Sequence, residues 1–156
     1  MPQPDEPARK PEEFTLVEPY AAQEWKSYFD LRWRVLRQPW GQPRGSERDD
    51  FDAKSFHLML REPGGAAAAV GRLHLNSPSE AQVRYMAVEE GCARRGIGGR
   101  ILEELESRAR AAGRTRMILN SRESAVPFYR KHGYELMDQT GTLFGTLLHW
   151  RMRKNL

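Results

Sequence analysis

Apolar side chains first recur at helical spacing at Trp25, Tyr28, Leu31 and Val35, and the run stops at Pro39. That pattern predicts a helix, preceded by a short strand in FTLVE, residues 14–18. Further on, Phe56, Leu58 and Leu60 alternate with His57, Met59 and Arg61. SFHLMLRE and AAAAVGRLHLN therefore read as two strands of a hairpin about the turn PGG. QVRYMAV predicts a fourth strand. Ile101, Leu105, Ala109 and Ala112 then form one helical stripe closed by Gly113, with Glu104–Arg108 and Glu106–Arg110 as favourable pairs on the solvated side. TRMILN predicts a fifth strand, SAVPFYRKH a short helix closed by Gly133, and YELMD and TLLHWRMR two more strands. Seven strands interspersed with three helices place the chain in the α/β (α+β) class.

Two segments lack periodicity. Residues 1–12 hold four prolines and five charged side chains, which predicts a disordered leader and a domain over residues 13–156. Residues 38–54, QPWGQPRGSERDDFDAK, predict a long loop and a candidate substrate lid.

Composition narrows the function classes. A length of 156 residues suits one domain. With 25 basic and 21 acidic residues the net charge is +4, a surplus that suits an anionic ligand without indicating nucleic acid. One cysteine cannot form an internal disulfide, and the N-terminus has neither an apolar core nor a basic start, so the expected compartment is the cytoplasm. No apolar run approaches the roughly 18 residues of a membrane helix. The four histidines show no ligand spacing, so no metal is expected.

The chemistry concentrates in CARRGIGGR, Cys92 to Arg100. A glycine-rich turn between strand and helix lets backbone amides and the helix dipole converge on a phosphate. Gly96, Gly98 and Gly99 are expected to let a ligand approach the main chain closely. A Walker A loop would have Lys and Ser or Thr after Gly96, where Ile97 and Gly98 stand; a dinucleotide fingerprint would need glycine at Ile101. The alternative is a turn with solvated arginines.

The stretch resembles motif A of the GCN5-related N-acetyltransferases (GNAT), in which a strand runs through (Gln/Arg)-x-x-Gly-x-(Gly/Ala) into a helix. ILNSRESAVPFYRKHGYE resembles that family's next segment, with Ala-x-x-Phe-Tyr followed by Gly-Tyr. The resemblance spans residues 14–153. LRWRVLRQPWGQPRGSERD and VRYMAV are similar to a bacterial branch that includes the first domain of two-domain proteins ending in a hot-dog thioesterase-like domain, for which this chain has no room. It departs from the family pattern at Ala93, where Gln or Arg is usual, and at Arg122, where Asn is frequent, although Asn120 lies close by.

The resemblance implies a mostly antiparallel, mixed seven-stranded sheet splayed between strands four and five, with helices on both faces and acetyl-CoA as cosubstrate. Met86, Ala87 and Val88 would offer a strand edge to the pantetheine arm. The amides of Arg94, Arg95, Gly96, Ile97, Gly98 and Gly99 would take the pyrophosphate, and Asn120, Ala125, Phe128 and Tyr129 would add cofactor contacts. A backbone amide of Ala87 or Val88 would serve the oxyanion, and Tyr129 the departing thiolate, unless Tyr129 is only a core aromatic. For the base, His57 and Glu47 are the candidates, with His74, Asp49, Asp50 and a water relay beside them. An acyl-Cys92 would need a base that nothing supplies, which favours direct transfer. Trp33, Arg34, Arg37 and Trp40 either line an acceptor pocket or cover the core. The expected partners are acetyl-CoA and an amine on a small molecule or peptide, with a homodimer left open. A catalytically silent acyl-CoA-binding module is the alternative.

Overall fold

The structure, a computed structural model, describes residues 13–92 and 96–156. The predicted leader, Ala93, Arg94 and Arg95 lie outside the described residues. One sheet of seven strands carries the fold: β1 (Thr15–Val17), β2 (Phe56–Arg61), β3 (Ala67–Leu75), β4 (Glu80–Val88), β5 (Arg116–Arg122), β6 (Glu135–Leu143) and β7 (Leu147–Asn155). Their order is β1-β2-β3-β4-β5-β7-β6. Only β4 and β5 run parallel; every other pair is antiparallel. The helices are α1 (Ala22–Leu36), α2 (Ile97–Ala111) and α3 (Val126–Lys131). A parallel pair needs a crossover, and α2 supplies it between β4 and β5.

The two faces of the sheet have separate cores. Ile97, Ile101, Leu102, Leu105 and Ala109 of α2 pack on Leu58, Leu73, Val83, Met117, Leu119 and Met152. Tyr28, Phe29 and Leu31 of α1 pack on Met59, Val70 and Ala87. Because both faces of β2 are covered, the alternation expected there is not seen: His57 and Met59 are buried with Leu58 and Leu60, whereas Phe56 at the strand's end is 42 % exposed. Helix α2 starts at Ile97, before the apolar stripe first seen at Ile101, and β6 runs beyond YELMD to Leu143. Gly141 lies inside that extension and its positive φ of 111° falls at a register shift, which is why strand periodicity is lost there.

Candidate active site

Parallel pairing between β4 and β5 stops at Val83 opposite Leu119, yet β4 continues to Val88 and β5 to Arg122. The strands separate because β4 carries an extra residue. Its register with β3 passes from Ala87 opposite Val70 to Arg84 opposite Arg72, leaving Tyr85 and Met86 against Gly71. Tyr85 sits in the left-handed region at φ 53°, the mark of a bulge that bends and twists its strand. Gly71 is needed there because a Cβ would come within 2.7 Å of Ile101 Cγ2 and 2.8 Å of Met86 Sδ. Between the separated strands lies a cavity of about 470 Å³. It extends from Met86, Ala125 and Tyr129 on the α2 side to Leu36 and Arg37 at the end of α1.

The ladder sets which amides of β4 are available. Glu89 N–H donates to Ala68 C=O across the β3 edge at 2.7 Å. Alternation then turns the amide of Ala87 toward β3 as well, and those of Val88 and Met86 toward the gap. Of the two expected oxyanion donors, only Val88 has its N–H on the open side; Ala87 is occupied by its neighbouring strand.

At the start of α2, Gly96 adopts φ 75° as the residue preceding the first turn, which contains no acidic side chain. The amides of that turn lack helical partners. At Gly98 and Gly99 the missing side chains also ease close packing. A Cβ on Gly98 would lie 3.3 Å from Val88 Cγ2 and 3.4 Å from Phe128 Cζ, and one on Gly99 would lie 2.8 Å from His132 Nε2. Both glycines face inward and bring the helix start against β4 and α3.

Tyr129 borders the cavity with only 8 % of its surface exposed. Burial pushes its hydroxyl up to about 12, with the Arg122 guanidinium pulling the other way, so the group is protonated at neutral pH. Phe128 stacks edge-on against Tyr129, 5.0 Å between centroids, and supports its ring from behind. Asn120, Ser121 and Arg122 also border the cavity.

His57 and Glu47, the expected bases, are elsewhere. Glu47 is buried and accepts a 2.7 Å hydrogen bond from Gly45 N–H. His57 donates through Nε2 to the Asp52 carbonyl at 2.7 Å and accepts at Nδ1 from the Tyr28 hydroxyl at 2.8 Å, so both ring nitrogens are committed. Neither residue lines the cavity, and burial holds the His57 pKa below its ordinary value. Cys92 is likewise buried away from it.

His57 and Glu47 adjoin a charged network behind Tyr85. Arg32 and Arg72 are both fully buried; Arg32 Nη1 pairs with Asp52 at 2.9 Å, and Arg72 Nη1 with Asp49 at 2.6 Å and Asp52 at 2.9 Å. Burial opposes ionisation of both carboxyls, but the arginine hydrogen bonds and charges win and hold them below the usual range. Among the described residues, Nε of Arg32 and Nε and Nη2 of Arg72 find no hydrogen-bond partner. The Tyr85 ring lies 4.4 Å from the Arg32 guanidinium and 4.9 Å from that of Arg72, an aromatic face in place of an acceptor. The loop expected as a lid is thereby pinned to the sheet.

Of the cluster at the end of α1, only Arg37 reaches the cavity. Arg34 is paired with Asp30 and Glu89, and Trp33 donates to the Gln42 carbonyl at 3.0 Å. The periodicity reading missed Arg84, His149 and Arg151, which line the cavity. Their alternation with Val83 and Met152 was the available signal. His149 Nδ1 lies 3.0 Å from the Leu147 carbonyl. A carbonyl only accepts, so Nδ1 carries the proton and the neutral ring keeps a lone pair on Nε2. Among the described residues no group of three or more His, Cys, Asp or Glu is disposed to hold a metal.

Comparison with known proteins agrees with this geometry. The profile of the acetyltransferase (GNAT) family matches residues 25–134. Over 130 residues the chain is 28% identical to the uncharacterized N-acetyltransferase YjcF of Bacillus subtilis, covering 83% of this chain and 91% of the relative. The fold superposes on an acyl-CoA N-acyltransferase from Pseudomonas aeruginosa with a TM-score of 0.74 at 19% identity, over 90% of this chain and 97% of that one. It also superposes on a GNAT family acetyltransferase from Elizabethkingia anophelis with acetyl-CoA bound, TM-score 0.73 at 13% identity, over 93% and 99% of the two chains. The chain belongs to the GNAT family and is an acetyl-CoA-dependent N-acetyltransferase.

Proposed function

We propose that the protein transfers the acetyl group of acetyl-CoA by direct attack of an amine carried on a small molecule or peptide. The observation that carries this reading is the freed edge of β4 beyond Val83, facing a cavity with Tyr129 on its wall. The edge at Met86 and Val88 suits the amides of a pantetheine arm, which would lie there as an added strand. The unpartnered first-turn amides of α2, at Ile97, Gly98 and Gly99, suit a pyrophosphate, with Gly96, Arg94 and Arg95 just before them. Asn120, Ala125 and Phe128 complete the cofactor's surroundings.

Three tasks then fall to three groups. Val88 N–H donates to the oxygen of the thioester carbonyl as negative charge develops there. His149 Nε2 takes the proton from the amine as its nitrogen bonds to the acetyl carbon. The carbon–sulfur bond breaks, and the Tyr129 hydroxyl gives its proton to the departing sulfur. Solvent restores both groups, leaving an N-acetylated amine and free CoA thiol. Asn120 and Arg122 stand across the β5–β7 ladder from Arg151 and His149, so these four side chains share one face of the sheet.

The test combines binding with turnover. Acetyl-CoA should raise the melting temperature, by an amount corresponding to about 2.7 kcal/mol at 100-fold excess over Kd. A panel of amines should yield CoA thiol with at least one acceptor. Tyr129→Phe keeps the ring and should retain the thermal shift while single-turnover rates fall on the order of 10²-fold. A thermal shift with no thiol release from any amine would leave the silent binding module in its place.

A further inference from the structure

We infer that the acceptor amine carries an anionic group, a carboxylate or a phosphate, held by Arg84, Arg122 and Arg151. The inference rests on the proposed acetyl transfer and deepens it. Val83, Leu119 and Met152 are buried in the core beneath α2. Strand alternation therefore turns Arg84, Arg122, Arg151 and His149 to the opposite face, away from the start of α2 where the cofactor's phosphates would rest. Arg122 and His149 are directly opposed in the β5–β7 ladder, and Arg151 is opposed to Asn120. All of them border the same cavity, and Arg37 enters it from the end of α1.

Among the described residues, no Asp or Glu lines that cavity. Among the described residues, no carboxylate lies within 4.0 Å of the guanidinium of Arg84, Arg122 or Arg151. Asp138 stands across the β6–β7 ladder from Arg151 yet makes no ion pair with it. Asp49 and Asp52 of the loop are already spent on Arg72 and Arg32, and Asp30 of α1 on Arg34 and Arg44. Converging cations in a partly desolvated cleft repel one another, and an anion relieves that repulsion. The guanidinium fork matches carboxylate and phosphate oxygens bidentately. A polyamine would meet only like charge.

Matched probes test this: β-alanine against β-alaninamide for a carboxylate, phosphoethanolamine against ethanolamine for a phosphate, and putrescine as a cation. We expect kcat/KM about 10-fold or more higher for at least one anionic member over its neutral counterpart, with putrescine lowest. The preferred pair tells carboxylate from phosphate. In the double variant Arg84→Gln/Arg151→Gln, at two exposed positions, the preference should disappear through KM with kcat little changed, while the acetyl-CoA thermal shift stays at the wild-type value. A binding arm is independent of turnover: with CoA present, the preferred anionic probe should raise the melting temperature of wild type and not of the double variant. Binding of that kind without turnover upholds the anion site and sinks acetyl transfer. Turnover with no anionic preference, or a preference surviving in the double variant, overturns the inference, as does loss of the acetyl-CoA shift in that variant, which would give the arginines to the cofactor.

Discussion

The Arg32 guanidinium lies 4.4 Å from the ring centroid of Tyr85, so the residue that bulges β4 is held by a fully buried cation on α1. A tyrosine at φ 53° costs on the order of 1–3 kcal/mol and persists only where its surroundings over-determine it. Here Arg72 faces the same ring at 4.9 Å and Arg37 at 5.4 Å. The bulge opens the sheet, and the charged network keeps the bulge.

Replacing Arg32 by leucine should therefore destabilise the fold by about 3–5 kcal/mol, the usual cost of stripping one partner from a buried ion pair. The low end is expected, because Arg72 Nη1 still reaches Asp52 at 2.9 Å. Urea unfolding reads the loss directly. A cost below about 1 kcal/mol would mean that Asp52 and Tyr28 find solvent or other partners and that the bulge needs no cage.

Stability should decline with acid in two separate stages. Burial depresses the His57 pKa, so between its folded value and the ordinary 6.5 the unfolded chain binds the extra proton. Its contribution is present above 6.5 and lost as pH falls through the folded value. Asp49 and Asp52 are depressed too, and theirs is present above 3.8 and lost further down. Melts in urea from neutral pH downward should show a slope of up to about 1.4 kcal/mol per pH unit below 6.5. His57→Gln should flatten that first stage alone; an unchanged slope would assign it to another group.

Gly71→Ala should lower stability by about 1–3 kcal/mol through overpacking. Its Cβ would meet Ile101 at 2.7 Å, Met86 at 2.8 Å and Leu105 at 3.0 Å, and three side chains cannot all retreat. Displacement of Met86 at the cavity wall should also raise the KM for acetyl-CoA. A variant as stable as wild type would show that α2 can shift off β3.

Periodicity and punctuation made the elements legible, since α1, α2 and the hairpin strands each have a face that is apolar at the right spacing. Motif A and the Phe128–Tyr129 pair were legible because a strand, a glycine turn and a helix must follow one another in sequence. The bulge was not legible. Tyr85 carries no glycine or proline signal, and its support comes from Arg32 and Arg72, which are remote in the chain. The bases were misplaced because His57 and Glu47 looked free in one dimension, whereas folding commits both to buried hydrogen bonds. The packing role of Gly98 and Gly99 was not legible either, because sequence does not say which side of a helix start faces α3.

His149 supplies the last test, because it separates a base in the cleft from a water relay. Its Nδ1–H is taken by the Leu147 carbonyl, leaving Nε2 as the one ring atom able to accept the amine proton. His149→Gln keeps a polar side chain of similar reach and removes the basic site. With the preferred acceptor, kcat should fall by about 10²-fold while the acetyl-CoA thermal shift is retained. His149→Ala should lose rate to the same degree, and added imidazole should restore part of it in the alanine variant only if a base is what is missing; a merely structural histidine would not be rescued. A glutamine variant that keeps wild-type kcat would hand the proton to water and leave His149 as part of the acceptor's wall.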